Sequence, residues 1–465
     1  MVLGDKNIKH IHCMGIGGIG VSAIAEILLH KGYQVSGSDI AENKNIARLQ
    51  NLGAQIILGH QESNIQNADL AVYSSAISKD NPEFIAAKNA GIPLFQRGQI
   101  LAELMNTYCG IAVAGTHGKT TTTGLVAYTL LKSGLDPSFA VGGILNDINS
   151  PVHIGKGRYF VAEADESDAS LLFMDPHFVI VTNIDADHLE TYGGNFNQLK
   201  QTFIEFLEKL PENGAAILCI DDQHVRDLIP DLKCKIITYG FDKSADFSAS
   251  DFSQQGMRSF FKIKRPNGLP PLSITLNMPG KHNVLNTLAT IAVAHCVNIN
   301  DNLLLKALAE FPGVGRRFQC HGEMAVPGGS ALVIEDYGHH PNEIKATLSA
   351  AREAWPDRRI VLVFQPHRYT RTRDLMREFS DVLSEADILV LLEVYSAGEE
   401  PIPGINSQAL CQMIEKNGRK KPFFVSELNS LPTVLKKILK NDDVVILQGA
   451  GSVGTMALTL AQETH

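Results

Sequence analysis

No stretch of the 465-residue chain stays apolar for long: the longest runs, Ala215 to Ile220 and Ile388 to Leu392, have the length of buried strands. Both fall well short of the ~20 residues that cross a bilayer, so no membrane span is expected. No block of lysine and arginine stands out either, and 41 basic against 50 acidic residues leave a net charge of −9. That balance argues against a protein that grips nucleic-acid backbones, while an anionic small molecule remains compatible with a local basic site. The seven cysteines (Cys13, Cys109, Cys219, Cys234, Cys296, Cys320, Cys411) are scattered singly, without a CxxC pair. Neither a zinc cluster nor a disulfide framework is expected, only reduced and mostly buried thiols. The opening MVLGDKNIKHIHCMGIGG has no apolar segment followed by a cleavage site, which predicts a cytoplasmic protein. No fixed-period repeat or low-complexity tract is visible.

What remains is an ordinary globular composition, 44% hydrophobic and 20% charged, on a chain long enough for about three domains. Three segments each open with a short β-rich run and continue as alternating strands and helices, the pattern of parallel sheets covered on both faces. The first begins with a strand over Ile8 to Cys13, a turn, a helix over Val21 to His30 and a second strand over Tyr33 to Gly37. The second begins near residue 106 with a strand over Gly110 to Ala114 and a helix reaching Lys132, with later strands at Tyr159 to Ala162 and Phe178 to Thr182. Residues 240 to 275 read as short alternating strands, followed by a helix over Asn283 to Cys296 and a Gly/Pro-marked linker at Pro312 to Gly315. The third repeats the alternation through Ala331 to Glu335, Arg359 to Phe364, Ile388 to Leu392 and Asp443 to Leu447.

The central segment carries the strongest chemical signal. In Gly115-Thr116-His117-Gly118-Lys119-Thr120-Thr121, small residues between a strand and a helix let backbone N–H groups converge on phosphate oxygens, where the helix dipole also favours anions. Lys119 supplies a point charge for the β/γ-phosphates and Thr120 a hydroxyl for Mg²⁺. The first glycine of the usual phosphate-loop pattern is replaced by Val113, which changes the pattern but not the mechanism. A bound Mg-nucleotide also needs hard ligands from neighbouring strand ends. Glu163, in EADESD, and His188, in NIDADHLE, follow strands at suitable places. Against these stand ordinary alternatives: a solvated carboxylate in an acidic turn, and a structural histidine bonded to Asp185 or Asp187.

Two further glycine turns flank this centre. Gly15, Gly17 and Gly20 (with Gly18) form GxGxxG after a strand, and Asp39 lies 19 residues beyond Gly20, a dinucleotide-type fingerprint that suits a nucleotide-sugar as well as NAD. Gly449 to Gly454 satisfies the same pattern too close to the C-terminus for an acidic partner to follow, and close helix-strand packing is the preferred reading there.

Taken together, the ordered motifs GTHGKTT, EADESD, NIDADHLE, PGKHNVLN (279 to 286), GVGRRF (313 to 318), EDYGHHPNEI (335 to 344) and QPHRYTRTRDL (365 to 375) resemble the Mur ligases, ATP-dependent amide-forming enzymes of peptidoglycan precursor synthesis. The resemblance covers nearly the whole chain and points to the member that joins L-alanine to the lactyl carboxylate of UDP-N-acetylmuramate through an acyl-phosphate. It implies an α/β fold of three domains: a Rossmann-like UDP-sugar domain (1–105), a central P-loop ATPase with a mostly parallel sheet (106–311) and a Rossmann-like C-terminal domain (312–465). By motif, Lys119 and Thr120 would hold the ATP phosphates and one Mg²⁺, with Glu163 and His188 serving a second. Asn283 and Asn286 would contact the adenine side, and Arg317 and Asp336 the nucleotide. Tyr337, His339, His367, Arg368 and Arg371 would form the pocket for L-alanine and the reacting carboxylate. Ser74, Ser75 and Arg97 are candidate UDP-sugar contacts. Glu335 stands where the family more often has Asp. The adjacent His339 and His340 suit hydrogen bonding better than a metal, because neighbouring strand residues point apart, and Arg368, Arg371 and Arg373 could equally be a solvated helix face. A sister ligase adding a preformed peptide, an NAD-dependent oxidoreductase and a nucleotide-sensing module remain open alternatives, as does the oligomeric state.

Overall fold

The computed structural model describes residues 2–74, 76–417 and 421–462. Its strands form three sheets. The first has five parallel strands in the spatial order Gln55–Leu58, Gln34–Asp39, His10–Met14, Leu70–Tyr73, Leu94–Gln96. The chain winds away from His10–Met14 in both directions, so the crevice at the C-terminal ends of the central strands lies beside the Gly15–Gly20 turn. The expected strand at Ile8 starts at His10 instead, because the Ile8 N–H closes a turn on the Asp5 carbonyl (3.0 Å) and Asp69 accepts from Lys9 and His10 (2.8 and 2.9 Å).

The second sheet has ten strands in the order Leu272–Leu276, Arg258–Lys264, Phe247–Gln255, Ile236–Gly240, Ala215–Cys219, Phe178–Val181, Cys109–Ala114, Tyr159–Glu163, Ser138–Leu145, Ser150–His153. Around Cys109–Ala114 the pairing is parallel, and its strands are uninterrupted apolar runs because helices cover both faces. Here too the order reverses at the strand that leads into the phosphate loop. The following helix, Lys119–Lys132, starts after Gly118 at φ +84°, a left-handed conformation that glycine adopts without strain.

The third sheet runs Gln319–Val326, Gly329–Asp336, Val444–Gln448, Ile360–Phe364, Ile388–Leu392, Phe423–Val425, parallel except for the first hairpin. Two apolar layers sandwich it, one led by Phe364, Phe379 and Leu383, the other by Leu431, Leu435 and Val453. The helix Pro341–Ala354 is started by Pro341 in its first turn, with His340 as cap and Glu343 accepting from the His339 and His340 N–H groups.

By compactness the chain divides into two units, residues 1–251 with 261–275 and 285–312, and residues 252–260 and 276–284 with 313–465. All seven thiols are free. Among the described residues no helix is long and apolar enough to cross a membrane.

Candidate functional site

In the first unit the loop after Cys109–Ala114 is braced from the neighbouring strand. Gly115 has φ +119°, and a Cβ there would lie 2.3 Å from Thr182 Oγ1, so only glycine fits. The His117 N–H donates to Asn183 Oδ1 (2.8 Å), while Asn183 Nδ2 and Thr182 Oγ1 donate to the His117 carbonyl (2.9 and 2.7 Å). Asp185 accepts from the His117 ring (3.2 Å) and its N–H donates to Thr116 Oγ1 (2.8 Å). The motif NIDADH thus shapes the loop as well as following it.

Lys119 Nζ lies 2.9 Å from both carboxylate oxygens of Glu166 and donates to the Gly115 and Thr116 carbonyls (2.6 and 3.2 Å). Burial pushes its ammonium towards deprotonation, but the charges of Glu166, Asp165 and Glu163 outweigh that and keep it protonated. Burial likewise pushes the Asp165 carboxyl up, and Lys119 and Arg97 more than reverse it. The Glu166 backbone carbonyl accepts from Tyr192 OH, tying the acidic run to the segment after His188.

Glu163, the carboxylate singled out from sequence, accepts the Gly142 N–H on one oxygen (2.5 Å). Thr120 and Thr121 are buried at the helix start. His188 has φ +55°, and its Nε2 is 3.6 Å from Asp187 Oδ2; Asp185, the other expected partner, is turned to His117. Thr120 carries a hydroxyl and Glu163 a carboxylate with one oxygen engaged, oxygen donors of the kind that suits Mg²⁺, and His188 a part-buried imidazole. Asn286 abuts the loop, its Oδ1 2.8 Å from where a Gly118 Cβ would stand; Asn283 belongs to the second unit, where it is buried and donates to the Pro279 carbonyl at 2.7 Å.

The N-terminal turn is lined by polar side chains. Asp39 accepts the Gly17 N–H (2.8 Å), the Gly15 and Ile16 N–H groups donate to the Ser38 carbonyl (2.9 and 3.0 Å), and the Gly18 N–H closes on the Gly15 carbonyl (3.1 Å). A Cβ on Gly20 would meet Arg97 Cδ at 2.7 Å, and Arg97 Nη2 donates to Asp165 (3.0 Å). Ser74 lies against Gly15, and Ser75 is outside the described residues.

In the second unit, Tyr337 is flanked by Arg316 and Arg317, whose guanidinium carbons lie 4.8 and 5.0 Å from its ring centre. His339 sits 5.6 Å from the Tyr337 ring and 5.7 Å from that of His367, which stacks on Tyr395. Burial first, then the neighbouring His339, Arg371 and Arg368, hold the His367 imidazole down at about 3, so it is neutral. Arg371 is buried and Arg368 lies 3.5 Å from Glu399, while Arg373 is a solvated residue paired with Asp374. Asp336 is buried and accepts from Phe318 and Gly338 N–H, Thr347 and Gln448. The pair lies in the loop after the strand end at Asp336 and not on a strand as expected; His340 caps the helix Pro341–Ala354 and His339 joins the aromatic cluster.

Sequence reasoning missed Glu166, Asn183 and Arg316, and took Asp185 only as a partner for His188, whereas it braces the phosphate loop. Glu166, Asn183 and Asp185 lie inside motifs already singled out. Arg316 bonds Glu335 (2.7 Å) and the carbonyls of Gly449 and Gly451 (3.0 and 3.2 Å), a link that no local pattern announces.

A glycine loop that delivers a held lysine to a helix N-terminus at the switch point of a parallel sheet defines a nucleoside-triphosphate-dependent enzyme of the α/β class. Family comparison carries this further. Residues 10–109 match the model of the Mur ligase family catalytic domain, 113–294 the Mur ligase middle domain and 316–451 the Mur ligase glutamate ligase domain. The chain belongs to the Mur ligase family. It is 57% identical to the UDP-N-acetylmuramate-L-alanine ligase of Coxiella burnetii (strain RSA 493 / Nine Mile phase I) over 465 residues, all of both chains. Its fold is similar to the crystal structure of a UDP-N-acetylmuramate-alanine ligase from Thermotoga maritima, with TM-score 0.83, 30% identity and coverage of 97% and 98% of the two chains. A murein peptide ligase from Psychrobacter arcticus shares the fold at TM-score 0.73 and 24% identity over 98% and 99%.

Proposed function

We propose that this chain joins the amine of L-alanine to the lactyl carboxylate of UDP-N-acetylmuramate at the expense of ATP, a step of peptidoglycan precursor synthesis. The observation that carries the reading is Lys119, fixed in the phosphate loop by Glu166 and the Gly115 carbonyl, in a chain alike end to end to alanine-adding relatives.

A carboxylate is a poor electrophile, so condensation needs activation. One carboxylate oxygen attacks the γ-phosphorus, the bond to ADP breaks, and an acyl-phosphate forms. The alanine amine then adds to the acyl carbon, loses a proton, and expels phosphate together with that carboxylate oxygen. Phosphoryl transfer demands positioning and charge neutralisation more than covalent help. Gly115 to Thr121 would cradle the phosphates, Lys119 would neutralise charge as it builds, and Asn283, Asn286, Arg317 and Asp336 would complete the nucleotide site. Thr120, Glu163 and His188 would hold Mg²⁺, two ions in all, which when bound adds positive charge at the phosphates. In domain terms, 1–105 would take the UDP-sugar through Gly15, Gly17, Gly18, Gly20, Asp39, Ser74 and Arg97; 106–311 the ATP; and 312–465 the amino acid through Tyr337, His339, His367, Arg368 and Arg371. The neutral imidazole of His367 and the guanidinium groups of Arg368 and Arg371 suit an amino acid's ammonium and carboxylate ends.

The test is phosphate release from ATP with UDP-N-acetylmuramate present and L-alanine, glycine, L-serine or a tripeptide supplied in turn. Release should be fastest with L-alanine, and Lys119→Ala should lower it about 1,000-fold. A tripeptide preferred over L-alanine, or near-normal turnover by Lys119→Ala, would contradict the reading.

A further inference from the structure

One buried carboxylate belongs to none of the sites above. Glu83, at the start of the helix Pro82–Asn89, is completely buried, yet burial's upward push on its carboxyl is overcome by bonds from His12, Ser38 and Asn64, which hold it at about 2. Its Oε2 accepts from Ser38 Oγ (2.5 Å), His12 Nε2 (3.4 Å) and His60 Nδ1 (3.3 Å), and its Oε1 from Asn64 Nδ2 (2.5 Å). The network runs on from His12 Nδ1 to Ser36 Oγ (2.8 Å) and His10 Nε2 (2.7 Å). A lone buried anion is expensive, and a helix N-terminus offsets only part of that, so the partners must be held in register.

Those partners are neighbours of the N-terminal glycine turn. Ser38, whose hydroxyl Glu83 fixes, offers its carbonyl to the Gly15 and Ile16 N–H groups (2.9 and 3.0 Å). The next residue, Asp39, holds the Gly17 N–H (2.8 Å), and its carbonyl accepts from Gly59 (2.8 Å). Asn64, the other residue bonded to Glu83, also donates to the Gly59 carbonyl (3.0 Å). Both sides of the strand end that supports the turn are therefore pinned to one carboxylate.

We infer that Glu83 is a positioning residue for the nucleotide-sugar: through Ser38 and Asn64 it sets the Asp39 and Gly59 backbone on which the Gly15–Gly20 turn rests. This rests on the proposal that the turn receives the UDP portion of the substrate. A charged, fully desolvated hub should matter for placement beyond its contribution to folding, because loss of a hydrogen bond to a charge is strongly felt.

The experiment uses the full chain and calorimetric titration with UDP, UDP-N-acetylmuramate and a non-hydrolysable ATP analogue, with thermal unfolding and steady-state kinetics alongside. Glu83→Gln should weaken UDP about 10-fold or more and raise KM for UDP-N-acetylmuramate by a similar factor, with kcat and ATP-analogue affinity changed less than about 2-fold. A merely structural role would lower the unfolding temperature and leave the ratio of UDP to ATP-analogue affinity unchanged, which would overturn the inference. Should Glu83→Gln lack a cooperative transition, Asn64→Ala decides by the same ratio: a selective loss of UDP affinity supports the inference and an unchanged ratio overturns it. If the unaltered chain binds neither UDP nor the UDP-sugar, the assignment of the turn itself falls, a result distinct from binding that Glu83→Gln leaves intact.

Discussion

The two turns that share the GxGxxG pattern solve different problems. Around the N-terminal one, a Cβ would meet Asn43 and Asp39 at Gly17 and Arg97 at Gly20, while Gly15 faces Ile77 and Gly18 the Gly15 carbonyl at ordinary or nearly ordinary distances. Around the C-terminal one all three glycines are crowded, Gly449 against the Gln365 carbonyl at 2.8 Å, Gly451 between Gln365 Oε1 at 2.6 Å and Tyr395 Cγ at 2.7 Å, and Gly454 against Glu335 Oε1 at 2.2 Å. Arg316 fills the space that remains, bonding the Gly449 and Gly451 carbonyls. The packing reading of the second turn suits this geometry. Spacing alone reports that backbone must come close to something, and the environment decides whether that something is a ligand or the protein.

The largest effect expected from this contrast is on stability at the second turn. Gly454→Ala would drive a methyl into the Arg316–Glu335 ion pair, and chemical denaturation should show a loss of about 2–3 kcal/mol with UDP affinity unchanged. At Gly17 an added methyl would crowd Asn43 Nδ2 and Asp39 Oδ2, both bonded to Gly17 itself, so Gly17→Ala should lose about 1 kcal/mol of stability while UDP binding, followed by calorimetry, drops about 10-fold. Equal destabilisation by the two substitutions, without a selective loss of UDP binding at Gly17, would erase the distinction.

A third contrast separates the regions by acid sensitivity. His367 is held at about 3 against 6.5 in the unfolded chain, so as pH falls from 6.5 the unfolded state takes up a proton that the folded state refuses. Stability from this source is complete above pH 6.5 and drains away towards pH 3, by up to about 1 kcal/mol per pH unit. Glu83 is held at about 2 against 4.5, so its contribution is complete above pH 4.5 and is lost as pH falls towards 2. Denaturation curves between pH 7 and 5 should therefore flatten for His367→Asn and not for Glu83→Gln, both variants should flatten them between pH 4.5 and 3, and below pH 3 only Glu83→Gln should.

The strands at Ile388–Leu392 and Ile360–Phe364 were legible because apolar runs buried on both faces leave no other solution, and the helix from Lys119 because a glycine precedes it. The phosphate loop could be read for the same reason, its chemistry being local in sequence. What could not be read was partner choice among equals. EADESD offers four carboxylates, and only the approach of the loop puts Glu166 on Lys119 while Glu163 turns to Gly142. Asp39, expected as an acceptor for a ligand, takes the Gly17 N–H because the strand end brings it beneath the turn. Arg316 and Glu335, 19 residues apart, meet only once the third sheet has formed.

The central claim is that the sugar-borne carboxylate receives the γ-phosphoryl group before the amine arrives. It is tested most directly by labelling both oxygens of the lactyl carboxylate of UDP-N-acetylmuramate with ¹⁸O and analysing the phosphate released during turnover with ATP and L-alanine by mass spectrometry. An acyl-phosphate route delivers one labelled oxygen to each phosphate. Released phosphate that carries no label, with amide formed at the normal rate, would contradict the account.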